Sequence, residues 1–100
     1  MEQLWIEGNW YQLSNGNFIR TYNMCDDPDY EFGYDYFNGE TKRLIDGGVF
    51  NLEDGDTKAA DTVLRLAMDW CDLDTKEVKA ELKATNIGYD DLEEMGFSGF

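Results

Sequence analysis

The chain has 100 residues, of which 22 are acidic and 8 basic, and its formal net charge at pH 7 is −14. This length suits one domain over residues 1–100, and an aromatic content of 15% can supply a core, which excludes wholesale disorder. Because nucleic acids and anionic membranes are negative themselves, the charge argues against direct binding to either of them.

Histidine is absent from the sequence, which excludes Ser–His and Cys–His nucleophile pairs and every histidine-ligated metal site. The two cysteines, Cys25 and Cys71, lie far apart and form no C-x-x-C motif. The chain shows neither a signal peptide nor an apolar run long enough for a membrane. We therefore expect a cytoplasmic protein with both thiols free.

Short alternating segments predict antiparallel strands in residues 1–50. The first strand is expected at Gln3–Glu7, followed by a two-residue turn at Gly8-Asn9 and a second strand at Asn9–Leu13. An Asn15-Gly16 pair, the strongest short hairpin signal, then leads into a third strand at Phe18–Tyr22.

The next alternating segment, Tyr30–Phe37, predicts a fourth strand, and the Asn38-Gly39 pair predicts a turn into a fifth at Thr41–Ile45. Asp46-Gly47-Gly48 is expected to break the fifth strand, which resumes at Val49-Phe50 after a bulge.

An aromatic stripe marks one face of the fourth strand; its members are Tyr30, Phe32, Tyr34 and Tyr36. We interpret this stripe as the core face of the sheet, with a stacking platform for bases or sugars as the alternative. If the stripe is the core face, the opposite face of the sheet is open and carries Trp5 and Trp10, or Phe37. Exposed aromatic residues of this kind suit protein binding.

Residues 51–100 change to a helical period. An amphipathic helix is expected from Thr57 to Cys71, capped by Asp56 or Thr57. A capping box at Asp74–Glu77 predicts a second helix that ends near Asn86, and Tyr89–Met95 predicts a third, closed by Gly96. The second helix would turn Val78 and Leu82 inward and carry a basic stripe of Lys76, Lys79 and Lys83.

The predicted fold class is α+β, with about five antiparallel strands followed by about three helices packed on one face of the sheet. The side chains expected in the core, besides part of the aromatic stripe, are Leu44, Val63, Leu64, Ala67, Trp70, Val78, Leu82 and Leu92.

Acidic clusters are the one plentiful source of chemistry. Asp26, Asp27 and Asp29 carry the oxygen ligands that Ca²⁺ or Mg²⁺ prefers, but Pro28 and the lack of EF-hand spacing favour a solvated turn. Glycosidase chemistry needs a cleft and one carboxyl with a raised pKa, whereas the acids here lie in polar neighbourhoods. We expect no catalytic residue, no metal and no cofactor.

A second acidic cluster places Asp90, Asp91, Glu93 and Glu94 on the short third helix. Like charges there do not help folding, since surface charges contribute only a few tenths of a kcal/mol. Together with Asp26, Asp27 and Asp29, these residues are the candidate contacts with a basic surface of a protein partner. The oligomeric state is left open.

Small size, acidity and mixed strand–helix order, with the tail LKATNIGYDDLEEMGF at Leu82–Phe97, resemble the small acidic inhibitor and accessory proteins of phages and mobile elements. Antirestriction and anti-CRISPR proteins are of this type. The resemblance implies inhibition of a nucleic-acid-processing protein by acidic faces that imitate DNA, and it carries no functional residue over. The other hypothesis is a non-catalytic interaction module that uses an aromatic sheet face, its charge serving solubility.

Overall fold

A computed structural model describes residues 8–24, 29–52 and 59–100. Its elements in chain order are β1 (Asn9–Leu13), β2 (Phe18–Asn23), β3 (Phe32–Phe37), β4 (Leu44–Phe50), α1 (Ala60–Trp70), β5 (Ala80–Ala84) and α2 (Tyr89–Glu94). The strands form one antiparallel sheet in the order β4-β3-β2-β1-β5. The α+β class and the five-stranded antiparallel sheet are confirmed, whereas the described residues form two helices, not about three.

Both Asn-Gly turns predicted from the sequence close hairpins. The first joins β1 to β2, and the Leu13 N–H donates to the Asn17 carbonyl at 2.8 Å. In the second, the Asn38 side-chain oxygen accepts hydrogen bonds from the Glu40 and Thr41 N–H groups. A Cβ added to Gly39 would overlap the Gly16 carbonyl, so the two turns are packed directly against each other.

The predicted break at Asp46-Gly47-Gly48 is wrong, because β4 is continuous from Leu44 to Phe50. The bulge lies nearer the turn: Tyr36 pairs with Asp46 and Phe37 with Leu44, which leaves one extra residue on β4. Gly48 lies against the ring of Tyr34, so the missing side chain makes room for the neighbouring aromatic residue.

The predicted strand at Asn9–Leu13 is confirmed as β1, and Asn9 pairs with Thr21. Gly8 has the positive φ expected of the predicted Gly8-Asn9 turn, 64°. The predicted strand at Gln3–Glu7 lies outside the described residues.

The second predicted helix is wrong, since Ala80–Ala84 forms the edge strand β5. Asp74 caps one turn as expected. The Asp74 side chain accepts a hydrogen bond from the Lys76 N–H, and the Asp74 carbonyl accepts one from the Val78 N–H, both at 2.8 Å. The helix stops there because pairing with β1 satisfies a row of backbone groups on that strand, and this outweighs helix propensity. The expected basic stripe therefore has no helix to carry it.

The sheet is covered on both sides, so the expectation of helices on one face is wrong. Face one lies under α1, and its buried cluster is Tyr11, Leu13, Ile19, Phe32, Tyr34, Tyr36, Phe50, Val63, Ala67 and Met68. Face two lies under residues 87–100, and its buried cluster is Trp10, Phe37, Leu92 and Phe97. Trp10 and Phe37 are 4% and 0% exposed, so neither lies on an open aromatic face.

Most of the predicted core residues are buried or at the core margin. Val63, Ala67 and Leu92 are fully buried, whereas Leu44, Leu64 and Val78 pack at its edge.

Two core predictions are wrong, and Tyr30 of the aromatic stripe is also exposed. Trp70 is 57% exposed because it lies at the edge of the sheet, where its indole packs against the ring of Phe50, the last residue of edge strand β4, at 6.1 Å. Leu82 is 52% exposed because it lies on an edge strand.

The N-cap of α1 is Ala59, and its side chain makes no capping hydrogen bond. The predicted caps, Asp56 and Thr57, lie outside the described residues. No described helix is both long enough and apolar enough to cross a membrane.

Candidate functional site

The C-terminal segment, residues 87–100, holds the second acidic cluster, and its local geometry follows from capping residues. The Gly88 N–H donates to the Asp91 carboxylate at 2.9 Å, which starts α2. After α2, Gly96 takes a φ of +92°. The Gly96 N–H donates to the Glu93 backbone carbonyl, and the Phe97 N–H donates to the Leu92 backbone carbonyl. This Schellman motif confirms the predicted helix end and returns Phe97 to the core.

Phe97 fixes the segment to face two. Its ring makes edge contacts with Trp10, Phe18 and Phe37 at centroid distances of 5.0, 5.5 and 5.2 Å. Such aromatic pairs stabilise beyond the apolar area that they bury. The backbone adds a clamp, because Leu44 N–H donates to the Ser98 carbonyl at 2.9 Å.

A buried arginine ties the start of the same segment to the sheet. Arg20 donates through Nε and Nη2 to one Asp35 carboxylate oxygen, at 3.2 and 3.0 Å, and through Nη1 to the Ile87 carbonyl at 2.7 Å. The guanidinium lies between two rings, 4.5 Å from the centroid of Tyr22 and 4.4 Å from that of Tyr89. We call Arg20, Asp35, Tyr22 and Tyr89 the Arg20 cluster.

The electrostatics of the Arg20 cluster suit an anchor better than a proton-transfer site. Burial raises the pKa of the Asp35 carboxyl, and the Arg20 guanidinium and the Tyr89 hydroxyl oppose that rise. Burial, with the neighbouring Asp35 charge, raises the pKa of Tyr22. Tyr22 therefore stays neutral at physiological pH, and both acidic groups have partners within the chain.

The outward side of this anchored segment combines apolar and acidic groups. We call it the α2 surface, formed by Tyr89, Asp90, Glu93, Glu94, Met95 and Phe100. Tyr89, Met95 and Phe100 are 44%, 36% and 41% exposed. The rings of Tyr89 and Phe100 stack with their centroids 4.9 Å apart, so two of the exposed apolar groups form one patch.

The carboxylates of the α2 surface are not neutralised by ion pairs with the described residues. Within the described part of the chain, no ion pair involves Asp90, Glu93 or Glu94. The nearby Lys42 ammonium is engaged otherwise: it donates to the Met95 carbonyl at 3.1 Å and lies 5.7 Å from the centroid of Phe97. The α2 surface therefore carries unbalanced negative charge beside exposed apolar groups.

Of the predicted contact residues, the structure brings together those of α2. Asp90, Glu93 and Glu94 are exposed, while Asp91 is partly buried and caps the helix. Asp29 is exposed too, but it lies at the other end of β4. Its carbonyl accepts a hydrogen bond from Asn51, which follows the last residue of β4, whereas the C-terminal segment is bonded to Leu44, the first residue of β4. The length of β4, about 20 Å, therefore separates Asp29 from the C-terminal segment. Asp26 and Asp27 lie outside the described residues.

Sequence reasoning missed the apolar half of the α2 surface and the Arg20 cluster. The sequence predicted a helix that contains Tyr89 and Met95, but it did not predict that these two side chains and that of Phe100 are exposed together. A cross-strand Arg–Asp pair was a readable signal once β2 and β3 were aligned, since Arg20 stands opposite Asp35.

The remaining chemical groups of the described residues point to no further site. Burial and the charges of Asp46 and Asp72 raise the pKa of the Cys71 thiol to about 12, so it remains protonated and unreactive. No cluster of metal-ligating side chains is found in residues 8–24, 29–52 and 59–100.

Comparison of the chain with protein-family models, curated proteins and solved structures finds no match. The arrangement of the α2 surface is therefore the basis on which a function is argued.

Proposed function

We propose that this protein is a non-catalytic interaction module that binds the basic surface of another protein through the α2 surface. The observation that carries the proposal is the exposed patch of Tyr89 and Phe100 beside carboxylates that have no cationic partner in the described chain. Exposed aromatic groups with a charged rim are the usual composition of a protein-binding site.

Each half of the α2 surface has a separate physical role in this proposal. The aromatic patch gives the apolar area whose burial stabilises a complex. The carboxylates attract a basic partner at long range and accelerate association, an effect that salt screens.

Rigidity of the surface supports the same proposal. The segment is fixed by the Arg20 cluster, the Schellman motif and the Phe97 contacts, so few backbone degrees of freedom remain to be lost on binding. A preorganised surface binds more tightly than a flexible one of equal area.

A narrower proposal is inhibition of a nucleic-acid-processing protein. The unpaired carboxylates Asp90, Glu93 and Glu94 crowd into two helical turns and would occupy a site that otherwise receives phosphates. This version adds one requirement, namely that nucleic acid and this protein compete for the same basic surface.

The test uses neutralisation of the α2 carboxylates with the cap Asp91 left intact. The variant Asp90→Asn/Glu93→Gln/Glu94→Gln is compared with a matched control that removes the same charge elsewhere, Glu40→Gln/Asp72→Asn/Glu77→Gln, at three other exposed acids. A binding protein is first isolated from the host with the unmodified chain, and its affinity for each variant is then measured at about 50 and about 300 mM NaCl.

We expect the α2 variant to bind at least about tenfold more weakly at the lower salt concentration and to lose most of the salt dependence. The control should change both only slightly. Equal affinity of the α2 variant and the unmodified protein at both salt concentrations would contradict the proposal. Competition by duplex DNA for the isolated protein tests the narrower version.

A further inference from the structure

β5 is an edge strand, and among the described strands it pairs with β1 alone, so its other side is open as far as the described residues go. The Lys79 carbonyl accepts from the Ser14 N–H at 2.8 Å, so the backbone groups of Lys79 point toward β1. Because these groups alternate in direction along a strand, those of Ala80 and Leu82 point to the open side. The edge therefore offers donors and acceptors to another strand.

The central residues of β5, Glu81, Leu82 and Lys83, are complementary to themselves when two copies run antiparallel about Leu82. In that register Leu82 stands opposite Leu82 of the second copy. The matched stretch ends at Lys83, because the bulge there places Ala84 on face two whereas Ala80 lies on face one. Glu81 of each copy stands opposite Lys83 of the other. Cross-strand pairs of opposite charge and of apolar side chains are those that stabilise antiparallel sheets.

The side chains on this edge are free to make such contacts. Leu82, which pairs with Tyr11 and so lies on face one, is 52% exposed. The register shift between Trp10 and Tyr11 leaves Lys83 without an opposite residue on β1. The Glu81 and Lys83 side chains are 72% and 42% exposed and form an ion pair with each other at 3.2 Å. An exposed pair of this kind contributes little within one chain.

The local charge around β5 also makes this edge a more favourable place for a second copy than the rest of the acidic surface. Residues 76–84 contain Lys76, Lys79 and Lys83 against Glu77 and Glu81, a local charge of +3 − 2 = +1, whereas the chain as a whole carries −14. Two copies that approach through β5 thus avoid direct contact between their acidic surfaces.

We propose that two copies of this chain associate through an antiparallel β5–β5 pair whose two-fold axis passes beside Leu82. The two Leu82 residues exchange backbone hydrogen bonds, and their side chains meet on face one. Two Glu81–Lys83 pairs form between the copies, and the two five-stranded sheets become one continuous sheet.

The opposite edge, β4, does not offer the same match. The first residue of β4 is already bonded to the C-terminal segment, through Leu44 N–H and the Ser98 carbonyl. Antiparallel pairing about Gly47 would place Asp46 opposite Gly48, with neither charge nor apolar complementarity. Ile45, 51% exposed on β4, therefore provides a control position.

The test is a charge-reversal cycle followed by sedimentation equilibrium from about 10 μM to about 1 mM protein. Glu81→Lys and Lys83→Glu each create two like-charge pairs between copies, whereas Glu81→Lys/Lys83→Glu restores two opposite-charge pairs. We expect dimers of the unmodified protein and of the double variant, and association at least about tenfold weaker for either single variant. Circular dichroism and urea midpoints establish that each variant is folded.

Apolar variants and salt complete the test. Leu82→Asp should abolish the dimer, and Ile45→Asp should leave it intact. Because the two acidic copies repel each other at long range, added NaCl should strengthen the dimer, the opposite of its effect on the α2 surface. The proposal is overturned by a monomer at all concentrations, by single variants that dimerise normally, by a folded double variant that stays monomeric, or by sensitivity at Ile45 instead of Leu82.

Discussion

Arg20 and Asp35 stand opposite each other in the register of β2 and β3, and their side chains form an ion pair with only 6% and 8% of their surfaces exposed. In an acidic chain with many exposed carboxylates, this one is held inside the fold by a cation. The same guanidinium bonds the Ile87 carbonyl, 67 positions away, so the pair also fixes the segment that carries the α2 surface.

Arg20→Met is expected to cost about 3–5 kcal/mol at pH 7, because it leaves the Asp35 carboxylate buried and unpaired. Asp35→Asn should cost less, about 1–3 kcal/mol, since Arg20 keeps the Ile87 carbonyl and the two tyrosine rings. Urea unfolding of both variants measures the difference. Equal costs for the two would show that the ring contacts and Ile87 do not hold the guanidinium.

Acidification should stabilise the fold through Asp35. Burial raises the pKa of this carboxyl in the folded state above its ordinary value of 3.8, so the folded state binds the proton more readily than the unfolded chain. The corresponding stability is fully present below pH 3.8, and it is lost as the pH rises through the folded-state pKa. Urea midpoints from pH 7 to about pH 4 should therefore rise more in the unmodified protein than in Asp35→Asn, and most in Arg20→Met. Parallel pH profiles for all three proteins would contradict the assignment.

Phe97→Ala should destabilise the fold by about 3–5 kcal/mol, since a buried aromatic side chain is removed from between three rings of face two. Phe100→Ala is the matched control, because Phe100 is 41% exposed and its loss should cost about 1 kcal/mol or less. Urea midpoints compare the two. Similar midpoints would mean that the C-terminal segment does not complete the core.

Trp70→Ala should cost only about 1–2 kcal/mol, less than the loss of a core tryptophan, because more than half of the indole is in solvent. Phe50→Ala, which removes the buried ring beneath it, should cost about 3–5 kcal/mol. Denaturant titration distinguishes these values, and a larger loss at Trp70 than at Phe50 would contradict the observed burial.

Gly39→Ala should destabilise the protein by more than about 2 kcal/mol, because its Cβ would collide with the Gly16 carbonyl in the adjacent turn and backbone must move. Gly88→Ala is the control: a Cβ at Gly88 would meet the Asp91 carboxylate at an ordinary contact distance of 3.9 Å, and the expected cost is below about 1 kcal/mol. Thermal unfolding of both variants checks the contrast. A stable Gly39→Ala protein would show that the two turns separate easily.

The sequence was sufficient for elements whose signals are local. The boundaries of β1 were predicted correctly, and those of β2 and α2 within one residue, because Asn-Gly turns and a C-terminal Gly96 act over a few residues. The prediction failed at β5, where Glu, Lys, Ala and Leu favour a helix locally. Strand pairing with β1 decided the outcome, and a distant partner leaves no mark on the local pattern.

The candidate site shows the same division. Exposed carboxylates on α2 follow from the sequence, since an acidic cluster on a short helix has nowhere to be buried. The exposed apolar patch does not, because it depends on which face residues 87–100 cover and on the stacking of Tyr89 with Phe100. Burial of Trp10 and Phe37 was likewise hidden, since both faces of the sheet are covered.

The cover of face two also sets an order of events during synthesis. Residues 87–100 are translated after all five strands, so a nascent chain shows Trp10, Phe18 and Phe37 to its surroundings until this last segment emerges. A truncation after Asn86 should accordingly bind a hydrophobic dye that the full chain excludes. Until Phe97 leaves the ribosome, the aromatic side of the sheet is exposed to chaperones and to other nascent chains.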